Sequence, residues 1–219
     1  MIGRPRVHHR LTDSTNERAR ALAAAGAPHG TLVTADEQSA GRGRQGRAWV
    51  ASPGASLLLS VVLRELHETV PLAAAVAVCE ALPVRTAIKW PNDVWVEGRK
   101  VAGILVEARS QEGWAVLGVG VNVLDAPQLE GVTALRLEGS NIGNEEVLER
   151  LLASLDRWLR SPLAEVLAAW RSRDALLGQP VRWQNGSGKG VGIDDGGALL
   201  VETASGRVTL DAGEVHLLR

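Results

Sequence analysis

Gly41-Arg42-Gly43-Arg44-Gln45-Gly46-Arg47-Ala48-Trp49, followed after Pro53-Gly54 by Ala55–Leu63 (ASLLLSVVL), is the stretch that decides the fold. Its first half has the spacing G-x-G-x-x-G. In a dinucleotide-binding unit a helix follows that spacing at once, so that its N-terminus faces a pyrophosphate. Here a Pro-Gly turn and a strand follow instead. The strand is apolar at nearly every residue, the pattern of a strand buried on both faces. A doubly wound dinucleotide fold is therefore excluded. The loop itself places Arg42, Arg44 and Arg47 within six residues, and no acid occurs between Glu37 and Glu65. Glycine lets the backbone approach a ligand, and guanidinium forks match phosphate oxygens. A solvated basic loop would use the same letters, so taken alone the segment supports either reading.

Upstream, Asp13–Gly26 reads as a helix with Asp13 or Ser14 as its cap, Glu17 in its first turn and Gly26 as its stop. Gly30–Asp36 is β-branched and reads as a strand, and Glu37–Pro53 as a loop. His8 and His9 are expected in a mobile terminus. Downstream, Thr69–Leu82 reads as a helix with a Thr cap, an early Pro and Pro83 as the stop. Arg85–Trp90, Asp93–Val96, Lys100–Glu107 and Trp114–Val123 read as strands joined by hairpin-length connections. Asn144–Arg160 puts five leucines on one helical face, and a second helix is expected over Ser161–Leu177. From Gln179 short Val/Leu runs alternate with Gly-rich turns, as in about five strands of a small barrel. The expected division is a domain at 1–178 and a smaller one at 179–219.

The whole chain has 219 residues, 45% of them hydrophobic and 22% charged, with 24 basic against 25 acidic residues. No overall field would hold such a protein on nucleic acid or a membrane. The longest apolar run, near Leu57–Leu63, falls far short of the ~20 residues of a membrane span. No secretory signal is evident, and a single cysteine, Cys79, allows neither an internal disulfide nor a cysteine metal cage. A cytoplasmic protein is expected. The five His show no metal-ligand spacing. Seven Trp accompany no Phe and no Tyr, so Leu, Val, Ala and Ile must fill the core.

Three further segments could carry chemistry. Lys89-Trp90-Pro91-Asn92-Asp93 leaves Asp93 at the mouth of a hairpin, and Lys100 opens an apolar strand that contains Gly103. Gly118-Val119-Gly120-Val121-Asn122 puts two glycines inside a strand, which weakens it unless something approaches closely. Ser14-Thr15-Asn16 begins a helix. Each of these, read alone, is also ordinary: a solvated hairpin, a bulge, a cap.

In this order the segments resemble the biotin protein ligases (biotin–acetyl-CoA-carboxylase ligases). That family shows D-S-T-N, Q-x-x-G-R-G-R-x-G-R-x-W, K-W-P-N-D, K-x-x-G-I-L-x-E, G-x-G-x-N and a C-terminal G-E-V. This chain has Asp13–Asn16, Gln38 through Trp49, Lys89–Asp93, Lys100–Glu107, Gly118–Asn122 and Gly213-Glu214-Val215. The resemblance implies an α+β fold: a mixed, mostly antiparallel sheet with flanking helices, class II aminoacyl-tRNA synthetase-like, plus a small C-terminal SH3-like β-barrel. It implies the cofactors ATP, biotin and Mg²⁺, a biotin carboxyl carrier protein as partner, and biotinyl-5′-AMP as intermediate.

The resemblance also implies roles. Ser14, Thr15, Asn16 and Gln38 hold the polar ureido end of biotin, with Gly103 in the biotin site. Arg42, Gly43 and Arg44 close over biotin and phosphate. Arg47, Trp49, Lys89, Asn92 and Asn122 belong to the nucleotide site. Lys100 bridges biotin's carboxylate and the α-phosphate, and with Arg44 and Asp93 makes up the catalytic set. Asp93 either positions the incoming lysine or holds Mg²⁺. Because S-T-N arrives at residue 14, the short form without a DNA-binding domain is expected, with no specific DNA binding, no membrane contact, and a monomer or homodimer. Two other functions remain open at this stage: a lipoate or octanoate transferase of the same superfamily, and an RNA-binding module built on the Gly/Arg loop. The second would want aromatic residues among the arginines, and only Trp49 is there.

Overall fold

Ser56–Leu63 (β3) is buried at every residue because it lies inside the larger of two sheets, paired antiparallel on both sides. The computed structural model describes residues 1–218. Around β3 the chain forms β1 (Arg6–Thr12), α1 (Thr15–Ala24), β2 (Leu32–Gln38), α2 (Val70–Ala81), β4 (Ala87–Lys89), β5 (Asp93–Val96), β6 (Arg99–Arg109), β7 (Trp114–Asn122), α3 (Asn144–Trp158) and α4 (Leu163–Arg171). The sheet order is β1-β2-β3-β7-β6-β5-β4. Only β1 and β2 pair in parallel, and every other neighbouring pair is antiparallel.

Strand parity divides the work of this sheet. Leu57, Leu59, Val61 and Leu63 join α2 and α3 in the main core, whereas Val62 packs with Ala19 and Ala23 of α1. The even residues thus face α1, and the register lines them up in rows. Leu58 pairs with Gly120, Gly120 with Gly103, and Gly103 with Asp93. One row over, Ser60 pairs with Gly118 and Gly118 with Leu105. The α1 face therefore carries small and polar residues where the opposite face carries the core.

Most expected elements are present, with three corrections. The N-terminal residues are not a mobile tail: His8 and His9 lie in β1, an edge strand in register with β2. Its alternation of Arg and His with few apolar residues hides it, because an edge strand on a sheet margin buries little. The last helix ends at Arg171, six residues before Leu177. There the chain turns to pair with β4, Ile88 N–H donating to Arg173 O at 2.7 Å and Ala175 N–H to Ile88 O at 2.9 Å. Third, Ser14 stands at the N-cap of α1 without a side-chain cap bond. The Thr15 N–H donates instead to Gln38 Oε1 at 2.7 Å, so β2 supplies the cap.

The C-terminal run forms β8 (Pro180–Trp183), β9 (Gly186–Ile193), β10 (Leu199–Thr203), β11 (Gly206–Leu210) and β12 (His216–Leu217). They make an antiparallel sheet in the order β11-β10-β9-β8-β12. Trp90 Nε1 donates to Gly197 O at 3.0 Å and ties this sheet to the larger one.

Candidate active site

Over the small-residue rows of the sheet lies a cavity of about 230 Å³. Its floor is glycine for a steric reason. A Cβ at Gly118 would overlap Asn16 Oδ1, one at Gly120 would meet the Trp49 indole at 2.5 Å, and one at Gly103 would meet Trp49 at 2.9 Å. The close approach expected at these glycines is thus made by side chains of the chain itself. Trp49 lies across the floor, its Nε1 buried without a partner.

One end of the cavity is a neutral hydrogen-bond cluster. Thr15 donates to Gln38 Oε1 from both its N–H (2.7 Å) and its hydroxyl (3.0 Å). Ser60 Oγ, buried on β3, reaches Thr15 Oγ1 at 2.8 Å and Asn16 Oδ1 at 2.6 Å. Asn16 Nδ2 donates to Glu107 Oε2 at 2.8 Å. The helix start is braced from outside: Asp13 accepts from Ser14 N–H at 2.6 Å and pairs with Arg18. The Arg18 hydrogen bond, more than any other contact, holds the Asp13 carboxyl well below the usual carboxylate range. Such a fixed cluster suits an uncharged polar head group that offers both donors and acceptors.

The other end is cationic. Arg42, Arg44, Arg47 and Lys100 line it, and Asp93 is the single carboxylate on the cavity wall. Lys100 Nζ lies 2.7 Å from Asp93 Oδ1 and 5.6 Å from the Trp49 ring centroid. The arginine loop closes on itself as Gly43 N–H donates to Arg47 O at 2.7 Å and Trp49 N–H to Gly41 O at 3.0 Å. Glu17 of α1 holds Arg42 (3.3 Å), and Glu214, in the connection between β11 and β12, holds Arg47. Arg44 makes no ion pair among the described residues. Its burial, and then the nearby Arg47, lower its proton affinity, while Asp93 and Glu214 oppose that shift.

Comparison with known proteins matches this arrangement to one family. Residues 8–123 match the family described as Biotin/lipoate A/B protein ligase family, and residues 176–218 the one described as Biotin protein ligase C terminal domain. A biotin–[acetyl-CoA-carboxylase] ligase of Mycobacterium tuberculosis is 36% identical, over 95% of this chain and 87% of that protein. One of Paracoccus denitrificans is 37% identical, over 93% of this chain and 97% of that protein. The solved biotin protein ligase from Aquifex aeolicus in complex with biotin and ATP superposes with a TM-score of 0.85, at 30% identity over 99% of both chains. The chain belongs to the biotin/lipoate A/B protein ligase family.

Of the residues singled out from the ligase's sequence, Ser14, Thr15, Asn16, Gln38, Arg42, Gly43, Arg44, Arg47, Trp49, Asn92, Asp93, Lys100 and Gly103 all line the cavity. Lys89 and Asn122 are not among the residues lining it. Asn122 is 1% exposed, accepts from Ser56 Oγ at 3.3 Å and donates to Thr133 O at 3.0 Å. Lys89 is buried 6.0 Å from the Trp95 ring centroid, and burial lowers its proton affinity while Asp93 and Glu214 oppose that shift. Sequence reading missed Ser60, Glu107, Glu17 and Leu129. Ser60 left a signal as a hydroxyl within an apolar run, and Glu107 as the last residue of the Lys100–Glu107 motif.

Among the described residues no group of three His, Cys, Asp or Glu could hold a metal ion. The ligase's wall offers one carboxylate, Asp93, which fits Mg²⁺ only as an ion that arrives on phosphate oxygens and takes few protein ligands. No helix among the described residues is long and apolar enough to cross a membrane.

Proposed function

We propose that this ligase attaches biotin to a lysine of a biotin carboxyl carrier protein, at the expense of ATP and by way of biotinyl-5′-AMP. The observation that carries the reading is the place of Lys100. Its ammonium lies between the neutral polar end and the arginine loop, where two anions would have to meet. In the first step a carboxylate oxygen of biotin bonds to the α-phosphorus of ATP and the bond to the β-phosphate oxygen breaks, releasing pyrophosphate. In the second the carrier's lysine nitrogen bonds to the acyl carbon, AMP leaves with the bond's electron pair, and the amine loses a proton.

Biotin's ureido group would sit in the cluster of Thr15, Asn16 and Gln38, and its valeryl chain on the glycine floor beside Trp49. The Lys100 ammonium offsets the repulsion between carboxylate and phosphate, and Arg44 meets the phosphate. Mg²⁺, held by Asp93 and phosphate oxygens, would supply further charge neutralisation. As the single acid on the wall, Asp93 could instead position the carrier's incoming lysine. The connection between β11 and β12 contributes through Glu214 and Arg47, which holds the loop against it.

The test is direct. Purified protein is incubated with MgATP, a carrier domain, and either biotin, lipoate or octanoate, and the carrier is weighed by mass spectrometry. Biotin on the carrier is expected. A lipoyl or octanoyl carrier in its place would assign the chain to the other branch of the family.

A further inference from the structure

Four charges of alternating sign, Glu107, Arg20, Glu17 and Arg42, connect the polar end of the cavity with the arginine loop. Glu107 Oε2 accepts from Asn16 Nδ2 at 2.8 Å, and its Oε1 lies 3.6 Å from Arg20 Nη1. The same Arg20 nitrogen lies 3.4 Å from Glu17 Oε2, one helical turn away on α1. That Glu17 oxygen lies 3.3 Å from Arg42 Nη1. Asn16, at the start of the relay, is fixed at its other end by Ser60, so a ligand that takes a hydrogen bond from Asn16 acts on Glu107 directly.

We propose that Glu17 is a positioning residue, seated between Arg20 and Arg42, that couples occupancy of the polar end of the cavity to closure of the arginine loop over the acyl-adenylate. The inference rests on the biotin-ligase reading. A helix N-terminus also favours an acid in its first turn, and that alone would explain a glutamate at 17. It would not explain a carboxylate oxygen shared by two guanidiniums, one of them on a separate loop. Single exposed ion pairs contribute little, but here the two inner charges, Arg20 and Glu17, each face two opposites, and a network holds where a lone pair does not. When biotin draws on Asn16, Glu107 leans further on Arg20, and Arg20 competes less for Glu17. Glu17 is then left to Arg42, and the loop stays shut on the adenylate until the carrier arrives.

The experiment loads the full-length protein with biotin and MgATP without carrier. It then follows escape of biotinyl-AMP into solution by rapid filtration. Glu17→Gln should speed escape by about two- to five-fold at low salt, the range of a surface ion pair in a network. That difference should vanish near ~1 M salt, where charges are screened within about 3 Å. Arg20→Gln, which removes the competing guanidinium and leaves Glu17 to Arg42, should not speed escape. Glu17→Asp, which keeps the charge, should recover part of the wild-type rate. In an Arg42→Gln background Glu17→Gln should add nothing. Escape at the wild-type rate for folded Glu17→Gln, faster escape for Arg20→Gln, or a full additive effect on top of Arg42→Gln, would overturn the proposal. Should wild type form no adenylate at all, the biotin-ligase reading itself fails, which is a separate outcome. Thermal melting of each variant separates a mere helix-start effect, which would move the melting point and leave escape alone.

Discussion

Lys100 Nζ and Asp93 Oδ1 are 2.7 Å apart at the boundary between the cavity floor and the arginine loop. The two side chains come from neighbouring strands, and both line the cavity. Asp93 therefore fixes the ammonium in the place where substrate anions must find it, and an ammonium already oriented costs little to use. Replacing Asp93 by Asn keeps the shape and removes the charge. Adenylation, read as pyrophosphate release, should fall on the order of tenfold, the worth of a hydrogen bond to a charged group. An unchanged rate would mean that Lys100 needs no partner.

The arginine loop gathers three like charges on a glycine-rich backbone, and its anchors are the exposed ion pairs to Glu17 and Glu214. Those two anchors leave Gln45 and Gly46, between them, exposed to solvent. Trypsin should therefore nick the free protein within Gly41–Arg47 quickly, and biotinyl-AMP should suppress the cut. The comparison is made by timed digestion and mass spectrometry of the fragments. Identical time courses with and without the adenylate would remove the loop from the ligand site.

Gly118 has no room for a methyl group because Asn16 Oδ1 occupies the space. Gly118→Ala should push Asn16 away from Ser60 and Glu107. Stability should drop by about 1–3 kcal/mol, as for other overpacked positions. Biotin affinity should weaken at least about tenfold, ~1.4 kcal/mol. Calorimetric titration beside a denaturant melt checks both, and a variant that melts early yet binds biotin normally would place biotin elsewhere.

Asp174 lies where the chain joins β4 after the last helix, and its Oδ2 is buried without a partner. Burial raises its pKa above the usual aspartate value, although the Leu176 N–H bond opposes the shift. For an acid with a raised folded-state pKa, the native state keeps a proton that the unfolded chain has lost. Stability should accordingly fall as pH rises from about 4, the ordinary aspartate pKa, through the folded value. Asp174→Asn should flatten that slope in urea melts run at successive pH values. An unaltered slope would trace it to another group.

How much of this was legible in the sequence follows from which forces are local. β3 and α2 announce themselves because burial on all sides demands unbroken apolar runs. The loop, the K-W-P-N-D turn and Lys100 were readable as motifs, and the register then brought Asp93 beside Gly103 and Gly120. β1 escaped because an edge strand needs few apolar residues to hold its place. The contacts of Glu17, Glu107 and Glu214 escaped for another reason. These acids lie far apart in the chain and meet the arginines and Asn16 only once α1, β6 and the β11–β12 connection have packed. The glycines at 118 and 120 implied a close approach without naming its source, and Asn16 and Trp49 are what approach them most closely.

The central claim is that Lys100 stabilises the meeting of biotin's carboxylate with the α-phosphate. Its value should grow as charge shifts in the transition state, so its loss should affect the rate more than ground-state binding. The most direct measurement is single-turnover formation of biotinyl-AMP by rapid quench, in wild type, Lys100→Ala and Lys100→Arg, beside biotin affinity by calorimetry. The account predicts that Lys100→Ala loses about a hundredfold or more in rate, ~3 kcal/mol, with a smaller loss in affinity and little change in melting temperature. Lys100→Arg should recover only part, since a planar fork does not replace a compact charge between two anions. Adenylate formation by Lys100→Ala at close to the wild-type rate would contradict the account.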